Sequence, residues 1–581
     1  MRLTKEQRKA ERSDENVLLE ACPGSGKTRT IIAKLVRSVE GVRGTPRRVA
    51  CITYTNAAVQ EIEARLRSYG SSGDEEYCEI STIHTFCLTN VLGRFYWHLP
   101  RFKDGFRIAN PESEDYVRIA IEVLDRHGLD HAELENLELM NREPDGAAIV
   151  TGALTPDVAL EFWDALEREQ FVDFCNIVYW SYVLMADHPS IVHSLACRFS
   201  WILVDEFQDT SALQVEILKL IAAERRTKFF LVGDPYQSIY GFAGARPSLM
   251  YEFGETIDAR QDFRLTGNFR SSPRIIEHAQ RVLQRVPPME AVGDAVGESE
   301  EPIHVHSETL FEGVVTGFLR KVEGNNIPYG ECAILGPTWF SLYHLGRQLR
   351  DYGVPVFGVG ARPYKRAYLF AALAEQICSY LDRASPEKIP HVERELFMLL
   401  QRATGSPNYR VFSYQGRRVV YRLLRTGDQL RAKHHDAVGW LAASAAEFTS
   451  ILREEDLIPK SCSNLLPDSV SDMRQDMVKR RVDVDNLSLE GLGLFADPRK
   501  NLKLLTIHAA KGREFDAVAI VDLHEGRLPH RAATDGPRLE ESKRVFYVAI
   551  TRARRFLMYI TDSSNWRNRP SRFLSAVLHD G

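Results

Sequence analysis

The sequence predicts an α/β fold: two groups of buried parallel strands, each interrupted by a mainly helical insertion. Three observations lead there. A strand-like run, Val17-Leu18-Leu19, runs through the Gly-rich segment Glu20–Thr30 into a helical pattern, Ile31–Val36. Short apolar runs ending in polar or glycine-containing loops recur in two places, as expected of strands buried on both faces. Helix-patterned, polar-rich sequence fills residues 95–194 and 368–499.

The first strand–loop–helix unit is a phosphate-binding loop. Its segment Ala21-Cys-Pro-Gly-Ser-Gly-Lys-Thr28 departs from the loose G-x-x-x-x-G-K-[ST] pattern only at Ala21. Backbone N–H groups of Gly24, Ser25 and Gly26 can wrap a phosphate, and the following helix adds the partial positive charge of its N-terminus. Lys27 can reach the β- and γ-phosphates, and the Thr28 hydroxyl can ligate Mg²⁺. Further strands are expected at Val49–Thr53, Trp201–Val204 and Phe229–Val232, then at Leu502–Leu505, Ala517–Val521 and Phe556–Ile560. Ligands of open parallel sheets sit beyond the carboxyl ends of the strands, so the loops after these runs should carry the chemistry. Asp115–Asp125 exemplifies the helical pattern of the first insertion, and the second is rich in Arg, Leu and Ala. Met289–Pro302 is acidic and Gly-rich and reads as a flexible loop or linker.

Composition narrows the class. A chain of 581 residues should hold several domains, and 44% hydrophobic content supplies their cores. A net charge of −5 does not advertise nucleic-acid binding, yet a groove needs only local basicity. The nine cysteines form no C-x-x-C pair, so no zinc site or disulfide framework is indicated, which fits a reducing, cytoplasmic setting. The charged N-terminal segment lacks the apolar core of a signal peptide, and no stretch has the apolar length of a membrane span.

Two acids, Asp205 and Glu206, follow the strand ending at Val204. A divalent ion gives a reason to concentrate like charge there: Asp205 can hold Mg²⁺, and Glu206 can activate a water for in-line attack on the γ-phosphate. Gln237, in the loop after the next strand, can sense that phosphate through its amide. Arg270 and Arg552, taken singly, read as surface or capping arginines.

In this order and company the residues resemble the superfamily 1 helicases of the UvrD/Rep/PcrA group, across both strand groups. Gln7 looks like the glutamine that reads adenine. Ala21–Thr28 resembles motif I, whose first position is commonly Ala in this group. Thr53–Ala58, Ser81–Phe86, Asp205–Thr210 and Gly233–Ala245 resemble motifs Ia, Ib, II and III. Asn268-Phe269-Arg270, Thr506–Phe515 and Tyr547–Ala553 resemble motifs IV, V and VI. The resemblance implies two RecA-like domains with ATP between them: 1–94 with 195–272, carrying insertion 95–194, and 273–367 with 500–581, carrying a reduced insertion 368–499. It implies that Lys27, Thr28, Asp205, Glu206 and Gln237 act from the first domain. Arg270 and Arg552 would reach the γ-phosphate from the second as arginine fingers. Glu514 would contact the sugar or phosphate region and Arg29 would flank the base. Phe269, where the family usually has Tyr, would stack on adenine. Single-stranded DNA would stack on Tyr54, Tyr240 and Phe242, the last replacing the usual Trp. His530 would add a base contact, and Thr55, Asn56 and His84 would touch the backbone or link it to the cleft. Core packing stays open for Tyr240, and His84 reads equally as a satisfied core histidine.

The second insertion looks shorter than in the housekeeping repair helicases, and the chain ends soon after motif VI. Cys22–Arg29, Thr82–Leu88, Phe106–Ile108, Gly233–Gln237 and Gly330–Trp339 resemble the UvrD-like helicase subunit of the Gabija anti-phage defence system. That resemblance implies a hetero-oligomer with a partner nuclease subunit. The expected function is therefore an ATP-dependent single-stranded DNA translocase or 3′→5′ helicase using Mg²⁺. The alternative is a DNA- or nucleotide-sensing ATPase that regulates the nuclease with little processive unwinding.

Overall fold

A computed structural model describes residues 2–578 except 72, 112, 298–299, 367, 405–407, 435, 460–463, 483, 485–486 and 566–567. The chain divides into two compact units, Met1–Ser299 with Asp535–Tyr547, and Glu300–Thr534 with Val548–Gly581.

The first unit is built on a six-stranded, all-parallel sheet. Its strands are β1 (Val17–Ala21), β2 (Arg48–Thr53), β3 (Cys78–Thr82), β4 (Phe199–Val204), β5 (Lys228–Gly233) and β6 (Arg260–Leu265), in the order β6-β1-β5-β4-β2-β3. Side chains alternate between the faces: Val17 and Leu19 join one core with Ile31, Leu35 and Trp201, whereas Leu18 joins another with Ile202, Val204 and Leu231. Both faces are therefore covered, which explains the unbroken apolar runs of the central strands. Because every strand runs the same way, their carboxyl ends share one edge. That edge carries the loops at Ala21, Thr53, Thr82, Val204, Gly233 and Leu265.

The insertion in this unit is helical as expected, with helices Glu114–Arg126, Pro156–Arg168, Phe174–Asp187 and Pro189–Arg198. A core of its own includes Ile119, Val123, Phe162 and Trp163. It also holds two short strand pairs, Arg107–Ile108 with Phe171–Val172 and Asn141–Arg142 with Ala148–Ile149.

The second unit contains another six-stranded parallel sheet. Its strands are β7 (Ile303–Ser307), β8 (Cys332–Gly336), β9 (Val356–Gly358), β10 (Leu502–Thr506), β11 (Phe515–Val521) and β12 (Ala553–Asp562), ordered β7-β12-β11-β8-β10-β9. Its insertion is a helical body with Leu423, Trp440, Leu441, Phe448 and Met473 at its centre. Together these features make the protein α/β, with two RecA-like parallel sheets and helical insertions.

Residues 273–299, grouped with the second domain on sequence, lie with the first unit. Glu290–Ala291 pairs in parallel with Gly267–Asn268, and the buried Met289 (2% exposed) accepts a hydrogen bond from Asn268. The segment 289–302 is therefore partly anchored rather than a plain linker; its residues 298–299 lie outside the described residues.

Candidate nucleotide and nucleic-acid sites

The phosphate loop has the shape its glycines allow. Gly24 (φ +67°) and Gly26 (φ +79°) are left-handed, and side chains there would collide: a Cβ on Gly24 would meet Asn268 Oδ1 at 2.5 Å, and one on Gly26 would meet Gln7 Nε2 at 2.6 Å. The helix Lys27–Glu40 starts directly after Gly26 with no side-chain cap, so its first N–H groups face the loop without one. Gln7 is 1% exposed and holds the loop from behind: its Nε2 donates to Ser25 O at 2.8 Å, and its Oε1 accepts from Thr4 N at 2.9 Å. The glutamine expected to read a base thus spends amide contacts on a helix cap and on the loop backbone.

Lys27 Nζ is buried with no hydrogen-bond partner among the described residues. It lies 3.6 Å from Glu206 Oε2. Asp205 is 7% exposed at the end of β4, with its N–H donating to Ile52 O at 2.9 Å. Burial, and then the adjacent Glu206, push its carboxyl up to about 7. Glu206 takes a left-handed φ of +51°, rare for a residue with a side chain, and donates its N–H to Asp205 Oδ1 at 3.0 Å. Among the described residues no group of three or more His, Cys, Asp or Glu could hold a metal ion. One buried carboxylate and a hydroxyl at Thr28, beside a lysine ammonium that makes no hydrogen bond, fit an ion that brings its own phosphate oxygens, as Mg²⁺ does with a nucleotide.

Gln208 ties the acidic loop to the next strand. Its Oε1 accepts from Asp234 N at 2.8 Å and its Nε2 donates to Glu206 Oε2 at 2.6 Å. Asp234 Oδ2 in turn accepts from Gln237 Nε2 at 2.6 Å. Asn268, 0% exposed, accepts at Oδ1 from the N–H groups of Arg270 (2.7 Å) and Ser271 (2.9 Å), while Phe269 N donates to Gly24 O at 2.9 Å. These bonds fold Phe269 and Arg270 onto the phosphate loop. Arg270 was expected to act as a finger from the second domain, although the expected bounds 195–272 place it in the first; it lies in the first unit, its N–H donating to Asn268 Oδ1. The Phe269 ring remains 44% exposed, as a stacking face requires.

The second unit carries Arg552, Glu514 and His530. Arg552 is 1% exposed, with Nε donating to Val548 O at 2.9 Å and Nη1 to Arg513 O at 3.2 Å. Glu514 accepts from Arg554 at 2.8 Å. His530 is exposed.

Beyond the carboxyl ends of β2 and β5, the Tyr54 and Tyr240 rings stack at 4.9 Å and 23°, and Phe242 stands edge-on to Tyr240 at 6.0 Å. A groove of about 400 Å³ opens beside them, lined by residues including Tyr54, Thr55, Asn56, His84 and Phe174. Thr55 caps the helix Asn56–Tyr69 through Ala58 N, which limits its hydroxyl. His84 is half-buried, edge-on to Phe174 at 6.1 Å, and burial lowers its pKa, so the ring is neutral near pH 7. Phe174, 52% exposed at the start of its helix, was not singled out on sequence. A single aromatic after an N-capping Asp173 carries no sequence signal of exposure.

Residues 3–258 match the family model of the UvrD/REP helicase N-terminal domain, and residues 471–564 that of the UvrD-like helicase C-terminal domain. Similar proteins include the ATP-dependent DNA helicase Rep of Buchnera aphidicola, 23% identical over 93% of this chain and 92% of the relative. DNA helicase II of Salmonella typhimurium is 25% identical over 97% of this chain and 85% of the relative. The ATP-dependent DNA helicase PcrA of Staphylococcus epidermidis is 24% identical over 100% and 86%.

Proposed function

Because the chain belongs to the UvrD-like family of ATP-hydrolysing DNA helicases, we propose that it moves along single-stranded DNA by hydrolysing Mg-ATP, with 3′→5′ polarity. The observation that carries this reading is the buried Lys27 Nζ, which makes no hydrogen bond and has Glu206 Oε2 as an ion-pair partner at 3.6 Å, at the end of a loop whose left-handed glycines pack against Asn268, Arg270 and Gln7.

Thr28 and Asp205 would hold Mg²⁺, which supplies charge neutralisation on the β- and γ-oxygens. Lys27 binds the terminal phosphates. Glu206 orients a water and accepts its proton; Gln208, donating to the same carboxylate, fixes its position. Arg270 and Arg552 stabilise the charge that develops on the transferred group. Phe269 stacks on the base, Arg29 flanks it, and Glu514 contacts the sugar or phosphates. Gln7 supports the loop. Tyr54, Tyr240 and Phe242 stack bases and His530 adds a base contact; Thr55, Asn56 and His84 line the strand's path. Gln237 and Tyr240 share one loop after β5, so a change at the phosphate reaches the strand through a few backbone bonds.

Lys27→Ala and Glu206→Gln should each lower ATPase turnover by at least about a hundredfold, Glu206→Gln keeping ATP affinity, measured with a fluorescent nucleotide. Wild-type turnover in either purified variant defeats the assignment.

The segments resembling the Gabija subunit, together with the compact second insertion, support a role in an anti-phage defence complex with a nuclease subunit. In that setting the chain senses DNA ends or nucleotide and unwinds little. Purification with neighbouring gene products, mass measurement, and ATPase and strand-displacement assays separate the two readings. A lone, processive helicase excludes the second.

A further inference from the structure

Arg285 is a cation sealed inside the first unit, 7% exposed. Its Nη1 donates to Asp234 Oδ1 at 2.5 Å and lies 3.5 Å from the Tyr547 hydroxyl. The guanidinium carbon sits 4.3 Å from the centroid of the Tyr236 ring, and Nη2 is 3.9 Å from Glu20 Oε1. Asp234 itself is 0% exposed. Its carboxylate also takes hydrogen bonds from Gln237 Nε2 at 2.6 Å and Tyr236 N at 3.2 Å. A carboxylate wholly removed from water keeps its charge only beside a cation with good hydrogen bonds, and Arg285 is the cation in contact with it. An ionised Asp234 is acceptor-only, so it dictates which end of the Gln237 amide faces it. Nothing in the sequence pointed to Arg285, which lies in the segment grouped with the other domain.

We propose that Arg285 is a positioning residue for ATP hydrolysis: by neutralising Asp234 it fixes the amide of Gln237 at the phosphate site. The proposal rests on the placement of Gln237 in the ATP site made above. A planar guanidinium suits the task, because it bonds the carboxylate while its face covers Tyr236.

A double-mutant cycle between Arg285→Met and Gln237→Ala tests it, reading kcat and KM for ATP in the full chain. Arg285→Met should lower kcat about tenfold with KM within about threefold, and change kcat less than about twofold in the Gln237→Ala background. Arg285→Lys should restore kcat to within about threefold of wild type. Should Arg285→Met fail to fold, Arg285→Gln goes through the same cycle with the same reading. Losses that add in the double variant, a loss confined to KM, or an unchanged kcat overturn the inference alone. Wild-type kcat in Gln237→Ala overturns both the inference and the site assignment beneath it.

Discussion

The side chains proposed to do chemistry are the ones that stand out most in the sequence, because a shared ligand dictates their spacing along the chain. Asp205 and Glu206 directly follow β4, Lys27 and Thr28 open the helix one short loop after β1, and a parallel sheet brings such strand ends together. Arg285 and Phe174 left no such trace: a buried arginine and an exposed phenylalanine each contradict the usual preference of their residue type. His84, left open on sequence, lines the groove, where burial lowers its pKa and disfavours the cationic form. Base stacking is worth roughly 1–3 kcal/mol per ring, so Phe174→Ala should raise the single-stranded DNA concentration for half-maximal ATPase stimulation about fivefold or more. Tyr54→Ala with Phe242→Ala should raise it further. An unchanged half-maximal concentration in both proteins would show that these rings serve packing.

Elements differed in legibility according to where they lie in their sheets. The central strands β1, β2, β4 and β5 of the first sheet announce themselves as apolar runs because both their faces are covered. β6, at an edge, reads Arg-Gln-Asp-Phe-Arg-Leu and exposes four of its residues, so it carries no apolar run. The helix Lys27–Glu40 hides a different surprise. Lys34 is 1% exposed, with Nζ donating to Ser13 O at 2.5 Å and lying 3.8 Å from the Trp201 ring centroid. Burial pulls its pKa down to about 8. An unfolded lysine titrates near 10.4, so between these values the unfolded chain binds more protons and stability rises with pH. The ammonium cost is thus fully present below pH 8. Lys34→Met should be more stable than wild type near pH 7, on the order of 1 kcal/mol, with the advantage shrinking toward pH 10. Thermal unfolding of both proteins across that range checks it; a constant difference would mean that the amine is not desolvated.

At the scale of the whole molecule, a net charge of −5 gives no long-range attraction to DNA. Affinity should then come from stacking and a few local phosphate contacts. Single-stranded DNA binding should fall by about tenfold between 50 and 200 mM salt, well short of the loss for a protein making many phosphate contacts. A fall of a thousandfold or more would require an extended basic track. The order of the motifs along the chain determined the α/β class and the doubled parallel sheets, and it supplied the residues proposed to bind nucleotide, because each is encoded in a contiguous strand–loop unit. What only the tertiary structure decided are pairings between distant segments. Arg270 lies against Gly24, Asp234 against Arg285, and Lys34 over Trp201. A buried charge is specified by the partner that desolvates or neutralises it, and that partner lies far away in sequence.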